Sequence, residues 1–221
     1  FRADPNDSSS LPDDVVTDIV QDGSGAIWVS TYGGLARLNE EGNAFVVYRE
    51  DPERGAWLST NRVLTLGVDV TGRLWVGTDL GGVYAYNQEE NTFSAMALPG
   101  DENDTTKDVI LSLYSDPQGA MWVGTGGAGL FKLDLDGNVD GQWRASGPAP
   151  IPADRILAIA RDANGRLRVG TDGAGMGMVE ETDDHYLLHL NEPGNLQSLS
   201  GNTVNTIVMD QAGFLWVGTS G

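Results

Sequence analysis

A tryptophan, replaced once by an arginine, returns along this chain at a nearly fixed interval and in the same local setting each time. Asp22-Gly-Ser-Gly25-Ala-Ile-Trp28-Val-Ser-Thr31 is followed by Asp69-Val-Thr-Gly72-Arg-Leu-Trp75-Val-Gly-Thr78 and Asp116-Pro-Gln-Gly119-Ala-Met-Trp122-Val-Gly-Thr125. Asp162-Ala-Asn-Gly165-Arg-Leu-Arg168-Val-Gly-Thr171 and Asp210-Gln-Ala-Gly213-Phe-Leu-Trp216-Val-Gly-Thr219 complete the set. The five positions stand 47, 47, 46 and 48 residues apart. A period of about 40–50 residues marks an array of identical supersecondary units, each unable to bury its own faces alone.

Each unit reads as four short strands. An apolar stretch such as Val63 to Val68 ends at the Asp of Asp-x-x-Gly, the signature of a type I turn. Leu74-Trp75-Val76 supplies a second strand, and a third, Val83-Tyr84-Ala85-Tyr86, follows the pair Gly81-Gly82. After an Asn/Glu-rich turn comes an aromatic segment such as Phe45 to Tyr48. Four strands in such a period, with no 3.6-residue apolar pattern, predict an all-β chain of β-propeller blades. The repeats run over about 15–61, 62–108, 109–154, 155–202 and a truncated 203–221. They give four complete blades and half of a fifth, a sector of a larger propeller. Inner strands are expected at 16–22, 63–69, 110–116, 156–162 and 204–210.

Trp28, Trp75, Trp122 and Trp216 are expected to be largely buried, filling the wedge between neighbouring blades. Arg168 is compatible with packing at a variable site or with a local salt bridge. Two residues before each inner-strand Val or Ile stands an Asx: Asp14, Asn61, Asp108, Asp154 and Asn202. Five in five predicts a side-chain bond closing a turn into the inner strand. Leu11, Leu58 and Leu199 precede three of them as plugs for the connecting loop. Phe1-Arg2-Ala3-Asp4-Pro5 aligns on Tyr48-Arg49-Glu50-Asp51-Pro52, as the tail of a preceding blade, and Gly221 falls after the second strand of the fifth.

The pattern Leu-Ser-x-Asn-x-Val-x-x-Leu, Asp-x-x-Gly-x-Leu-Trp-Val-Gly-Thr, Gly-Gly-Val over residues 58–83 resembles the two-component regulator propeller repeat, and the resemblance extends over all five copies. It implies the extracytoplasmic sensor region of a bacterial membrane protein, on its periplasmic or extracellular side. The implied output is a hybrid histidine kinase or a diguanylate cyclase outside this chain, and the implied ligand an oligosaccharide or other small metabolite.

Composition narrows the partners. Thirteen Lys plus Arg against 32 Asp plus Glu leave a formal charge of −19, a field that repels phosphate backbones and anionic headgroups. No nucleic acid and no direct membrane contact are expected. With no cysteine, disulfides and thiolate metal sites are excluded. No cofactor is implied.

In a blade, the outer-to-inner connections (49–61, 97–108, 145–154, 191–202) share a face with the second-to-third-strand loops (31–33, 78–81, 125–128, 171–174). These are long and varied, whereas the Asp-x-x-Gly turns repeat almost unchanged and promise little room for a distinctive pocket. Recognition residues sit on loops held by a rigid scaffold, which gives Tyr32, Arg54, Trp57, Arg62, Asp79, Arg155 and Asp172 as ligand contacts. Trp57 beside Arg and Asp suits a sugar, and substituting Trp57 or Arg62 is expected to weaken binding while leaving the thermal midpoint nearly unaltered.

Catalysis finds little support. A sialidase-type Asp-box has Gly two residues after the Asp, unlike Asp-x-x-Gly-x-x-Trp. The histidines His185 and His189 fall on an outer strand, where residues four apart share a face about 13 Å from each other. Asp136-Gly-Asn138-Val-Asp140-Gly141 opens like a calcium loop, but Arg144 and Gly147 stand where oxygen ligands belong, and the segment suits a hairpin turn. No catalytic residue and no metal are assigned. A structural or protein-interaction propeller is the alternative to the sensor, with a lyase or glycosidase behind both. Open blade edges would meet the rest of the propeller or a second copy.

Overall fold

The computed structural model describes residues 1–51, 53–54, 56–100, 108–147, 150–179 and 187–220. Four sheets of four antiparallel strands and one of two follow each other along the chain. Blade 1 contains β1 (Val16–Gln21), β2 (Ile27–Thr31), β3 (Gly34–Leu38) and β4 (Phe45–Tyr48). Blade 2 contains β5 (Val63–Val68), β6 (Leu74–Thr78), β7 (Val83–Asn87) and β8 (Thr92–Met96). Blade 3 contains β9 (Ile110–Ser115), β10 (Met121–Thr125), β11 (Leu130–Leu133) and β12 (Val139–Trp143). In blade 4, β13 (Ile156–Arg161), β14 (Leu167–Thr171) and β15 (Met176–Val179) end on the short β16 (Leu188–His189). Blade 5 shows β17 (Thr203–Met209) and β18 (Leu215–Ser220). All five inner strands carry a β-bulge two residues in, as between Val63 and Thr65.

The core lies between blades. Trp28 packs with Leu66, Leu74, Val76, Tyr86 and Phe93 of blade 2, and its ring meets that of Tyr86 at 4.9 Å. Trp75 and Trp122 repeat this against blades 3 and 4. The glycine of Trp-Val-Gly-Thr exists for the same contact. A Cβ on Gly77 would lie 2.6 Å from Ile110 Cγ2, and one on Gly170 2.5 Å from Val204 Cγ1. The threonine after it is buried and closes the next loop: Thr78 Oγ1 donates to Gly82 O at 2.8 Å, as Thr31, Thr125 and Thr171 do in theirs.

The Asp of Asp-x-x-Gly does two jobs. One carboxylate oxygen caps the turn's own backbone, and the other accepts the indole N–H six residues on, at 2.7, 2.8, 2.9 and 2.8 Å for Trp28, Trp75, Trp122 and Trp216. Arg168 supplies the same bond to Asp162 Oδ2 through Nε and Nη2, so the salt bridge is real and takes the place of the indole. Burial opposes ionisation of Asp22, Asp69, Asp116 and Asp162, but these hydrogen bonds outweigh it and hold all four below the usual carboxylate value.

Two expectations need correction. Trp28, Trp75 and Trp122 are fully buried, yet Trp216 is 66% exposed. It keeps its bond to Asp210, but among the described residues no further blade covers it. The Asx side chains do not reach into the inner strand. Asp14, Asn61, Asp154 and Asn202 accept the backbone N–H of Ala3, Glu50, Ala145 and Asn191, at 2.7–2.8 Å, where the chain leaves the preceding outer strand. The same residue's carbonyl accepts an N–H from the preceding blade, as in Gly82 to Asp108, Gly129 to Asp154 and Gly175 to Asn202. Asp154 and Asn202 therefore clasp two blades through both side chain and carbonyl, and Ala3 occupies the place of Glu50 that the N-terminal alignment gave it.

Candidate recognition corner

The residue after each Asx enters the inner strand at the channel rim: Val15, Arg62, Val109, Arg155 and Thr203. Its carbonyl accepts the N–H of the first residue of the β2–β3-type loop, joining Tyr32 to Val15, Asp79 to Arg62, Gly126 to Val109 and Asp172 to Arg155. Two of these pairs carry opposite charges. Arg62 Nη1 lies 2.8 Å from Asp79 Oδ2, and Arg155 Nε 3.1 Å from Asp172 Oδ2.

Blade 2 adds a third partner. The Arg62 guanidinium stands over the Tyr32 ring of blade 1, 4.6 Å from its centroid. Tyr32, Arg62 and Asp79 come from three loops of two blades and meet with Tyr32 and Arg62 exposed and Asp79 partly buried. The blade 4 pair gains only Thr203, whose hydroxyl donates to Asp172 at 3.2 Å. Five of the seven sequence-derived contacts thus form two rim groups.

Arg54 and Trp57 form a separate group. The Trp57 ring packs on Tyr48 and Phe93 with centroids 5.7 and 5.3 Å away, and its indole N–H donates to Arg49 O at 2.6 Å. The Arg54 guanidinium covers it at 3.9 Å. In the two homologous connections a serine does this work: Ser10 Oγ donates to Asp4 O and Ser198 Oγ to Glu192 O. Trp57 is a loop latch with its face already stacked. The expectation that it can be replaced without touching stability does not fit this packing.

Leu80 escaped the sequence reading. It lies beside Asp79 with φ +64° and is 63% exposed. The signal was visible in Thr78-Asp-Leu-Gly-Gly against Thr171-Asp-Gly-Ala-Gly, where Gly173 holds the corresponding left-handed position at φ +84°.

The Asp-x-x-Gly face has more room than its repeating turns suggest. A cleft of about 760 Å³ opens there, between the turns Asp22–Ser24 and Thr71–Leu74 and the hairpin Asn87–Glu89. Arg73 in its wall is spent on Asp69 and on the carbonyl of Leu135. A smaller cleft of about 350 Å³ runs along the inner strands of all five blades, past Thr17, Asp18, Ser112 and Asn205. Among the described residues no group of three acidic or histidine side chains could hold a metal. The 134–138 segment is a hairpin turn, with Asp134 Oδ1 accepting the N–H groups of Asp136 and Asn138. His185 lies outside the described residues. Among these residues no helix is long and apolar enough to cross a membrane.

Residues 10–33, 106–127 and 198–221 match the family described as the two-component regulator propeller. The extracellular domain of a putative hybrid two-component system from B. thetaiotaomicron shares 28% identity at a TM-score of 0.77 over 96% of this chain. That of a putative one-component system from the same organism gives 23% and 0.79 over 99%. This chain spans 27% and 28% of their lengths. Virginiamycin B lyase from Staphylococcus aureus, at 13% identity and a TM-score of 0.67 over 96% of this chain and 64% of its own, shares the fold. No curated protein matches the sequence.

Proposed function

We propose that this chain, carrying two-component regulator propeller repeats, is the ligand-recognising part of an extracytoplasmic sensor whose output domain lies elsewhere in a membrane protein. Its ligand is an oligosaccharide or another small metabolite, and the segment itself is non-catalytic. The observation that carries this reading is the division of labour within the repeat. The recurrent side chains are taken up by the fold: each Asp by a Trp or by Arg168, four of the five Thr by a loop carbonyl, and four of the five Asx by the neighbouring chain. The side chains left over for recognition are those that differ between blades, and at the blade 2 rim Tyr32, Arg62 and Asp79 converge from separate loops. Rigid elements hold each of them, which is what selective binding needs. The similar extracellular domains of bacterial signalling systems support the same assignment of compartment.

A thermal-shift screen of oligosaccharides and small metabolites tests it, with Arg62→Ala as the control. A ligand that raises the midpoint of the parent protein and not of the variant supports the reading. Hits that stabilise both equally remove the rim from it.

The bare side of blade 5 favours a second role beside the first. Val208, Phe214 and Trp216 are exposed on a face that in blades 1 to 3 is covered by the following blade. We propose that a further blade repeat, or a second copy of the chain, seats on it.

A further inference from the structure

Leu80 occupies backbone that L-residues other than Asn and Asp seldom adopt, and it does so while 63% exposed. Blade 4 solves the same loop with Gly173 in the left-handed position. Blade 2 instead has Gly81 at the next place, where a Cβ would lie 2.6 Å from Thr78 Oγ1 and 2.7 Å from Thr60 Cγ2. The loop is thus wedged against Ser59 and Thr60 in a form that presents Leu80 outward, next to Asp79. Tyr32, reached from Asp79 through Arg62, is 41% exposed, and the Arg62 guanidinium covers its ring from one side. A strained, largely exposed leucine thus stands beside a convergence of three loops.

We infer that Leu80 is the apolar contact of this corner, and that the ligand unit it meets is uncharged, with an apolar face flanked by hydroxyl or amide groups. This rests on the sensor reading above. The ligand's lack of charge follows from the pairing. Arg62 and Asp79 neutralise one another at 2.8 Å, so an anion would have to displace Asp79 and a cation Arg62. An anion would also approach a chain of net charge −19. Paired, the two side chains still offer N–H groups and carboxylate oxygens to neutral hydroxyls, while Leu80 and Tyr32 take the apolar face.

The test is a binding array of neutral and uronic-acid oligosaccharides, read for the parent protein, Leu80→Asn and Arg62→Ala. Asparagine tolerates the left-handed region, so Leu80→Asn should melt at the same temperature or higher. The expected result is binding of neutral sugars, unchanged between about 50 and 500 mM salt. That binding weakens about tenfold or more in Leu80→Asn. Neutral binding retained by Leu80→Asn but lost in Arg62→Ala overturns the assignment of Leu80 and leaves the sensor site standing. Binding confined to uronates overturns the uncharged ligand. A lower midpoint for Leu80→Asn makes Leu80 a structural residue, and no binding by the parent protein removes both readings.

Discussion

Arg168 donates to Oδ2 of Asp162 at 2.7 Å, in the place where an indole N–H donates in every other blade. The replacement keeps the bond but not the packing. Arg168 is 8% exposed, its Nη1 is buried with no hydrogen-bond partner, and the small Ala160 stands opposite it on the inner strand. An unsatisfied buried donor costs about 1–3 kcal/mol.

Arg168→Trp is therefore expected to stabilise the chain. Removing the orphan N–H while restoring the indole bond should raise Tm by about 2–4 °C. Arg168→Leu should lower it, because Asp162 then loses both of its side-chain donors. Calorimetry on the two variants checks this, and a lower Tm for both would show that the blade 4 seam has no room for the larger ring.

The close approach of successive blades gives a sharper expectation. Gly77→Ala puts a methyl group 2.6 Å from Ile110 Cγ2 and 2.7 Å from Thr65 Cγ2. Overpacking of this kind costs about 1–3 kcal/mol, read as a lower denaturant midpoint with an unchanged slope. Gly42→Asn, with open space around it and a left-handed backbone that asparagine tolerates, is the comparison on an exposed turn.

Stability should fall in acid within a defined window. Asp22, Asp69, Asp116, Asp162 and Asp210 all have folded-state values lowered from the usual one. A carboxylate lowered on folding contributes stability that is fully present above its unfolded value, about 3.9, and is lost as pH falls through the folded one. Tm should hold from neutrality to about pH 5 and decline below pH 4. Asp69→Asn should lower Tm at neutral pH and flatten the acid decline.

Trp57→Ala is expected to lower Tm by about 4–8 °C, from the loss of a half-buried ring on Tyr48 and Phe93 worth about 2 kcal/mol. Trp57→Phe, which keeps the ring contacts and removes the bond to Arg49 O, should cost about 1 kcal/mol. Thermal melts of the pair separate packing from latch. A Tm untouched by either change would restore Trp57 as a free platform.

The blades were legible because strand period, turn chemistry and the repeat all report local structure. Val63 to Val68, Asp-x-x-Gly and Leu74-Trp75-Val76 each state their own conformation. Contacts between units were harder. The sequence shows Asp and Trp six residues apart but not that a β-hairpin brings their side chains together, nor that Asn61 reaches back eleven residues to Glu50. For the site, Arg62 and Asp79 were found as loop residues, while their pairing and the Tyr32 stack depend on blade-to-blade placement. For Trp57, only packing shows that its ring lies against Tyr48, Phe93 and the Arg54 guanidinium. Leu80 required comparing loops across repeats, since a positive φ leaves no mark in composition.

Trp216 offers a direct probe of what covers blade 5. Its indole is 66% exposed, whereas Trp28, Trp75 and Trp122 are fully enclosed, and Trp57 and Trp143 lie between. A neutral quencher such as acrylamide should therefore act chiefly on Trp216, and Trp216→Phe should remove most of the quenchable emission. The surrounding Val208 and Phe214 make the face apolar, and burial of such surface drives association at about 25 cal/mol per Å². If copies of the chain seat on it, quenching of Trp216 should fall as protein concentration rises, in step with a higher sedimentation coefficient. If a further blade of the same polypeptide seats there, a longer protein should show weak quenching at every concentration and sediment as a monomer. Strong, concentration-independent quenching with monomeric sedimentation in both proteins would show that the face stays open, and would remove the blade-seating proposal.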